Sequence, residues 1–207
     1  MKEENDYEKD LASIRRIMER SVKFLSISGL SGVLAGTYAL IGSMLAYLVL
    51  YYPGSLINPR FEGLDEKSAV TKLASIAATV LLLSLVSGCL MSLRKAKKIG
   101  MPIWNATSKQ LLIDLLVPLA SGGLLILILL TQGNYGVIAP ACLIFYGLAL
   151  IQGGRSTFVE IKYLGLTEIV LGLASALFPS FGLIFWALGF GVMHMVYGAV
   201  MYFRYER

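Results

Sequence analysis

The sequence predicts an all-α, polytopic membrane protein with six transmembrane helices. Of its 207 residues, 57% are hydrophobic and 15% are charged, whereas a soluble domain carries about a quarter charged residues. The charged residues also lie in short clusters that separate long uncharged stretches. Because about 20 apolar residues cross the hydrocarbon core of a bilayer, the chain has room for about six crossings and for no additional soluble domain.

The first element is an amphipathic segment over residues 1–23. Its apolar residues recur at helical spacing, with basic residues among them. One interpretation is an interfacial helix that contacts anionic lipid or a cytoplasmic partner, and the other is a cytoplasmic extension of the first membrane helix with a solvated basic face. The apolar face favours the interfacial helix, because such a face needs a surface against which it is buried. The apolar positions are Leu11, Ile14, Met18, Val22 and Leu25.

The first membrane segment, residues 24–52, begins with closely spaced small residues. Gly32 and Gly36 match the GxxxG pattern, and Gly29 lies about one turn before them. Lipid chains are as apolar as leucine, so helices in a bilayer associate through close packing and polar contacts. We therefore expect these glycines to pack against another helix of the same chain, with a homodimer interface as the alternative.

Five further apolar segments follow, and with the first they form one transmembrane domain over residues 24–207. Pro140 suits the first turn of the fourth helix. Pro179 lies in a short turn, Phe178–Phe181, so the last two segments should form an antiparallel hairpin. The expected ranges of the five segments are 73–93, 111–131, 137–152, 161–178 and 181–203.

The basic residues predict how these segments are oriented in the membrane. Of the 18 Lys and Arg residues, fifteen fall before the first segment, after the second and fourth segments, or at the C-terminus. Only Arg60, Lys67 and Lys72 lie on the opposite side. Cytoplasmic loops are enriched in Lys and Arg, so both termini should be cytoplasmic. The formal charge of +5 therefore reflects topology, and we expect no binding to nucleic acid.

Two ionisable residues lie within the last two membrane segments. Glu168 lies in the fifth segment, and His194, the single histidine of the chain, lies in the sixth. Counted from the turn between the segments, their positions differ by about three residues, or about 4.5 Å along a helix. Residues three and four positions apart share one helical face, so each group sits in a stripe of glycines, and the two groups should meet if the stripes face each other. The stripes contain Gly165 and Gly172 around Glu168, and Gly191 and Gly198 around His194.

Asp114, in the third segment, is another ionisable residue in an apolar setting. Pro118 lacks the N–H that would bond the carbonyl of Asp114, so a carboxylate and a free carbonyl share one turn. Such interruptions occur at ion sites of transporters and also as simple kinks. Asp114, Glu168 and His194 all fall in the half of the membrane predicted to be cytoplasmic. They are candidates for a proton or cation site, and the alternative is a structural Glu168–His194 hydrogen bond.

Other classes of activity find no support in the sequence. It contains no HExxH, GxSxG, Walker or CxxC motif, so we expect no enzyme. A single histidine cannot supply both axial ligands of a haem. The methionines on either side of His194 point in diverging directions on a helix, so we also expect no metal ion and no cofactor.

Two parts of the chain resemble a group of bacterial six-helix inner-membrane proteins with no known activity. One part is Ile14–Ser21 continuing into Ser28–Gly32, and the other is Gly189–His194 with Tyr197 and Gly198. The resemblance covers nearly the whole chain and implies a bacterial inner-membrane location, but it implies no substrate. The last hairpin is also loosely similar to glycine-rich repeats of small acid-resistance membrane proteins, which implies shared small-residue packing.

These observations favour a non-enzymatic inner-membrane protein that acts as a sensor or as an accessory scaffold for a membrane or cytoplasmic partner. The first alternative is a small proton-coupled or cation transporter that uses Asp114, Glu168 and His194, although six helices are few for a transporter unless the protein forms a homodimer. The second alternative is a protein that binds membrane lipids. A polar cavity that joins the three ionisable groups would favour the transporter. A dry contact between Glu168 and His194 would favour the scaffold, and a lateral groove would favour the lipid-binding protein.

Overall fold

The computed structural model describes residues 28–51, 66–98, 100, 104 and 106–207. Within these ranges, 91% of the residues are helical and none lies in a strand, which confirms the all-α prediction. The amphipathic segment predicted over residues 1–23 lies outside the described residues, as does the beginning of the first predicted membrane segment.

The described chain forms six long helical stretches, and the last stretch consists of three parts. Residues 182–205 are continuous helix in which a π-helical part separates two α-helices, and we call them the last helical run. Short 3-10 turns, Tyr135–Val137 and Pro179–Phe181, precede the fourth stretch and the last helical run. The helices are α1 (Gly29–Tyr51), α2 (Glu66–Lys98), α3 (Ala106–Thr131), α4 (Ile138–Gly153), α5 (Val159–Leu177), α6 (Gly182–Trp186), the π segment (Ala187–Met193) and α7 (His194–Tyr205).

Five helical segments in the described part of the chain are long and apolar enough to cross a membrane. α5 is the sixth long helix, and its 19 residues include Glu160, Lys162 and Glu168, whereas each of the five contains an apolar stretch of 18 residues with at most two charges. α2 and α3 carry leucines such as Leu82 and Leu124 that are 61% and 63% exposed, as expected of surfaces that face lipid. The five segments are Gly29–Tyr51, Lys67–Lys98, Thr107–Thr131, Tyr135–Gly153 and Pro179–Tyr205.

The helices pack as antiparallel neighbours in two groups. α1 packs against α2 and the last helical run, and α4 packs against α3 and α5. The last helical run joins the two groups. Its first part, α6, contacts α4, and all three parts of the run contact α5. In contrast, α2 and α3 form no packed interface with each other. The two arms of the predicted last hairpin are therefore in contact, but each arm has its main neighbour elsewhere.

Glycines on α1 lie directly against the backbone of the last helical run. A Cβ atom added at Gly32 would lie 3.0 Å from Cα of Gly198, and one at Gly36 would lie 2.5 Å from the carbonyl oxygen of Gly191. Gly29 makes the same kind of contact nearer the start of α1. Because glycine has no side chain, the backbones of α1 and the last helical run approach each other closely along this row of glycines.

The glycines on α5 face a different helix from the one expected. A Cβ at Gly165 would lie 2.6 Å from the carbonyl oxygen of Gly147, and one at Gly172 would lie 2.6 Å from Cγ1 of Ile144. Both contacts are to α4. The two glycine stripes of the last hairpin therefore do not face each other, because α4 brings its own glycine, Gly147, against α5 and α1 covers the other stripe.

Glu206, just after the last helical run, ties three helices together at one end of the bundle. Its Oε1 accepts hydrogen bonds from the N–H of Gly29 at 2.7 Å and from Nζ of Lys95 at 2.9 Å. Its Oε2 accepts a bond from the hydroxyl of Ser28 at 3.2 Å. Burial would raise the pKa of Glu206, but the bonds from Lys95 and Gly29 outweigh burial and lower this pKa below its ordinary value. The carboxylate also lies at the positive end of the α1 helix dipole.

A second ion pair lies at the same end of the bundle. The guanidinium of Arg204 is 2.8 Å from Oε1 of Glu160, and the hydroxyl of Tyr205 donates to that oxygen at 2.8 Å. We call this end, defined by the Lys95–Glu206 and Arg204–Glu160 pairs, the charged end. It is the end that the distribution of basic residues predicts to face the cytoplasm.

Candidate functional site

Glu168 and His194 lie side by side inside the helix bundle. Oε1 of Glu168 is 3.4 Å from Nδ1 of His194. The Glu168 side chain is fully buried and His194 is 7% exposed. Neither carboxyl oxygen of Glu168 has a hydrogen-bond partner among the described residues. Buried polar groups normally have partners, and ionisable groups inside membrane proteins are costly, so this carboxyl group is a candidate for a functional role.

His194 is held at both of its ring nitrogens. Nδ1 lies 3.0 Å from the carbonyl oxygen of Gly189, and because a carbonyl only accepts hydrogen bonds, Nδ1 carries a hydrogen. Nε2 lies 2.7 Å from the hydroxyl of Tyr146, which can donate its hydrogen to this nitrogen. A neutral imidazole protonated at Nδ1 therefore satisfies both contacts at once. Glu168 lies beside the Nδ1–H, at a distance longer than that of a strong charge-assisted bond.

The π segment places the backbone next to the Glu168 carboxyl group. A Cβ added at Gly189 would meet Oε2 of Glu168 and would lie 2.5 Å from Cδ2 of Leu143. A glycine at this position therefore leaves the space that the carboxyl group occupies. π-helical turns are frequent at functional sites, and this one ends directly before His194.

Tyr146 and Gly189 are members of the site that the sequence did not indicate. Tyr146 lies on α4, a helix without an ionisable candidate, and no spacing distinguishes it from other tyrosines. Gly189 offered only a weak signal, because it lies outside the stripe of Gly191 and Gly198, and glycines such as Gly88 and Gly123 make no close approach. The π segment, which alters the register of that stripe, has no recognisable pattern in the sequence.

Three aromatic side chains continue from His194 towards the opposite end of the bundle. The ring of Phe190 lies 5.1 Å from that of Tyr146 and 5.2 Å from that of Trp186, measured between centroids. Tyr146 in turn lies 5.3 Å from the His194 ring. The imidazole therefore lies at one end of a continuous row of aromatic rings.

Asp114 lies apart from this pair. Its carboxylate accepts a hydrogen bond at 2.8 Å from the side-chain amide of Gln110, one turn earlier on α3, in an exposed position. α3 continues as a helix through Pro118. The structure thus brings together Glu168 and His194 of the three sequence candidates, and it places Asp114 in a local contact on its own helix.

A cavity of about 440 Å³ lies between the helices, next to His194. Most of the side chains in its wall are apolar, and they come from α1 to α5 and from the last helical run. His194 and Tyr146 belong to the wall, whereas Glu168 and Asp114 do not. The cavity therefore meets the site at its imidazole and phenol groups, with the carboxyl group behind them.

No helix–helix interface closes the cavity between α2 and α3. Leu81 and Leu85 of α2 line it and remain 59% and 56% exposed. α3 contributes Leu111 and Leu115, which lie in its first half. Because α2 and α3 do not pack together, this side of the cavity adjoins the outer surface of the bundle.

The arrangement offers two kinds of chemistry. An apolar cavity with a few polar groups in its wall can hold an apolar or amphipathic molecule, and a carboxyl group beside an imidazole can exchange a proton. Metal binding has no comparable basis, because the described residues contain no group of three or more His, Cys, Asp or Glu side chains that could hold an ion. Comparisons of the chain with protein-family models, with curated proteins and with solved structures found no match.

Proposed function

We propose that this chain is a non-enzymatic membrane protein that binds a lipid-like molecule between its helices, as an accessory or sensory component of the membrane. The observation that carries the proposal is the apolar cavity of about 440 Å³. Its volume falls within the range of about 300–1,000 Å³ that is typical of small-molecule sites. Because α2 and α3 are not packed together, hydrocarbon from the bilayer can enter without crossing a polar surface.

The proposed topology has six membrane helices, with α5 as the fifth, and both termini in the cytoplasm of a bacterial cell. The charged end supports this orientation, because basic residues concentrate on the cytoplasmic side of inner-membrane proteins. A homodimer through α1 would need a face other than Gly32 and Gly36, since the last helical run covers these glycines.

The Glu168 carboxyl group lies outside the cavity wall and 3.4 Å from His194, which is the arrangement expected of a structural contact. A proton-coupled transporter is the second candidate function, because neither carboxyl oxygen of Glu168 has a hydrogen-bond partner among the described residues. The transporter hypothesis now rests on Glu168 and His194 alone, because Asp114 pairs with Gln110. Vesicles that contain the protein would test it under an imposed pH gradient. Proton leakage that Glu168→Gln abolishes would support the transporter, and leakage equal to that of protein-free vesicles would exclude it.

Lipid binding can be measured with Trp186, which lines the cavity. Replacing the other tryptophan, Trp104→Phe, leaves Trp186 as the single donor for energy transfer. A fluorescent polyene fatty acid should then show saturable energy transfer from Trp186 in the purified protein. The absence of a saturable component would overturn the proposed function.

A matched pair of glycine substitutions provides the control. Gly88 lines the cavity from α2, and Gly123 lies on α3 outside the cavity wall, and a Cβ at either position would have no atom within 4 Å. Gly88→Leu should fill part of the cavity and reduce saturable binding, whereas Gly123→Leu should leave binding unchanged. Both substitutions raise helix propensity equally, so equal binding by the two variants would contradict the cavity as the binding site.

A further inference from the structure

We propose that the ligand of this cavity is a single-chain amphiphile, with its oxygen-bearing headgroup at the charged end and its hydrocarbon chain directed away from that end. This inference rests on the proposed function and adds the class of ligand and its direction. It follows from the distribution of polar atoms along the cavity wall.

The cavity runs along the helices for about half the thickness of the hydrocarbon core. On α1 its wall extends from Ser28 to Ala39, and on α4 from Gly153 to Cys142. Each stretch covers twelve residues, and the eleven steps between its ends correspond to about 16 Å at helical rise. Because α1 and α4 begin and end their stretches at matching levels, the cavity is an elongated slot with one end at the charged end of the bundle.

The two ends of the slot differ in chemistry. The end near the charged pairs contains the hydroxyl-bearing residues Ser28, Thr157 and Tyr197. The other end is formed by residues such as Ala39 and by the indole ring of Trp186. The hydrocarbon chain is favoured at the second end, because a polar headgroup there would be buried without hydrogen-bond partners. A polar headgroup is favoured at the first.

Tyr197 supplies the independent sign of a ligand at the first end. Its hydroxyl oxygen is buried and has no hydrogen-bond partner among the described residues, although the residue lines the cavity. The other phenol of the wall, Tyr146, is already bonded to His194. A buried hydroxyl without a partner costs free energy, so a small rotation of the Tyr197 ring that brings its hydroxyl to a headgroup oxygen of an alcohol, ester or carboxyl group in the slot would be favourable.

The cavity volume suits a single chain, because it lies near the lower end of the range of about 300–1,000 Å³ for small-molecule sites. A cavity of about 440 Å³ is of the size that holds one small ligand. Lys95, near the end of α2, bonds to Glu206, which in turn bonds to Ser28, so a positive charge lies close to this end of the slot. A headgroup at Tyr197 would therefore lie close to polar and charged groups, with water of the membrane interface beyond them.

Two brominated fatty acids test the direction of the ligand. Bromine quenches tryptophan fluorescence at short range, and Trp186 marks the apolar end of the slot. In the Trp104→Phe protein, a fatty acid brominated near its methyl end should quench Trp186 more strongly than one brominated near its carboxyl group. Gly88→Leu supplies the background that arises from acids outside the cavity.

The outcomes separate this inference from the function on which it rests. Quenching by neither acid above the Gly88→Leu background would overturn lipid binding itself. Equal quenching, or stronger quenching by the acid brominated near its carboxyl group, would leave binding intact and overturn the direction.

Tyr197→Phe tests the headgroup contact, with Tyr163→Phe as the control because Tyr163 is 67% exposed and outside the cavity wall. Tyr197→Phe should weaken fatty-acid binding about fivefold, the effect of losing one hydrogen bond. Equal affinities of the two variants would overturn the role of Tyr197. The bromine comparison needs neither variant, so the direction of the ligand remains testable if Tyr197→Phe does not fold.

Discussion

Oε2 of Glu168 occupies the space into which a side chain at Gly189 would project. The two residues lie on different helical stretches, α5 and the π segment, and their fit places a carboxyl group against a backbone 21 positions away in sequence. The same π segment presents the Gly189 carbonyl to Nδ1 of His194. One glycine therefore contacts both members of the ionisable pair, and its replacement is the most direct test of the site.

Gly189→Ala should destabilise the protein by about 1–3 kcal/mol, the range for adding a methyl group to a filled interior. The added Cβ would meet the Glu168 carboxyl group and Cδ2 of Leu143. Thermal unfolding in detergent measures the effect. Gly123→Ala is the control, since a Cβ there meets no atom within 4 Å, and unchanged stability of both variants would contradict the described fit.

The hydrogen-bond pattern predicts where the His194 hydrogen lies. Because Nδ1 faces the Gly189 carbonyl and Nε2 faces the Tyr146 hydroxyl, Nδ1 should be protonated at neutral pH. His194 is the single histidine, so nitrogen NMR of histidine-labelled protein, purified without a histidine tag, gives one pair of ring signals. An Nδ1 without hydrogen would contradict the geometry, and Tyr146→Phe should shift the Nε2 signal most.

Gly198→Ala should destabilise the contact between α1 and the last helical run by about 1–3 kcal/mol. A Cβ at Gly198 would lie 2.5 Å from the backbone nitrogen of Val33 and 2.6 Å from the carbonyl oxygen of Gly29. Backbone atoms cannot move aside as the end of a flexible side chain can. Gly88→Ala is the matched control in another helix, and it should leave the unfolding temperature unchanged or raise it slightly. Equal effects of the two substitutions would show that this contact is not close.

Glu206→Gln should lower stability at neutral pH by about 1 kcal/mol, the scale of a lost helix cap, because a partly exposed ion pair adds little in water. The pKa of Glu206 is lowered in the folded protein, so its contribution is present above the unfolded pKa of about 4.3 and is lost as pH falls through the folded value. The stability difference between wild type and variant should therefore shrink below about pH 4. A difference that grows on acidification would contradict this assignment, and Arg207→Gln serves as a control for a nearby change in charge.

Composition and charge clusters were enough to predict the helical class and the approximate position of each long helix. α2 illustrates the limit, because its apolar core predicted residues 73–93 whereas the helix extends over Glu66–Lys98. Charged residues at helix ends lower the apparent hydropathy of a segment without ending the helix. A prediction from hydropathy therefore makes the loops before and after such a segment too long.

Helix neighbours were harder to predict than the helices themselves. Gly165 packs on Gly147 and Gly191 packs on Leu40, and a glycine stripe shows that a backbone approaches without showing which one. Glu168 and His194 nevertheless meet, because both lie at the junction of α4, α5 and the last helical run. Asp114 resembled them in sequence, but it lies on α3, which contacts α4, and its carboxylate found a partner on its own helix.

α2 packs against a single long helix, α1, so it can tilt more readily than a helix that is held on two sides. Its 33 residues form a rod about 50 Å long, held by α1 and, near the charged end, by the bond from Lys95 to Glu206. A tilt of this rod would change the width of the slot and leave the packing of α3, α4 and α5 intact. Because Lys98 lies at the predicted cytoplasmic end of the rod, a force applied at that end would change the width of the slot inside the membrane.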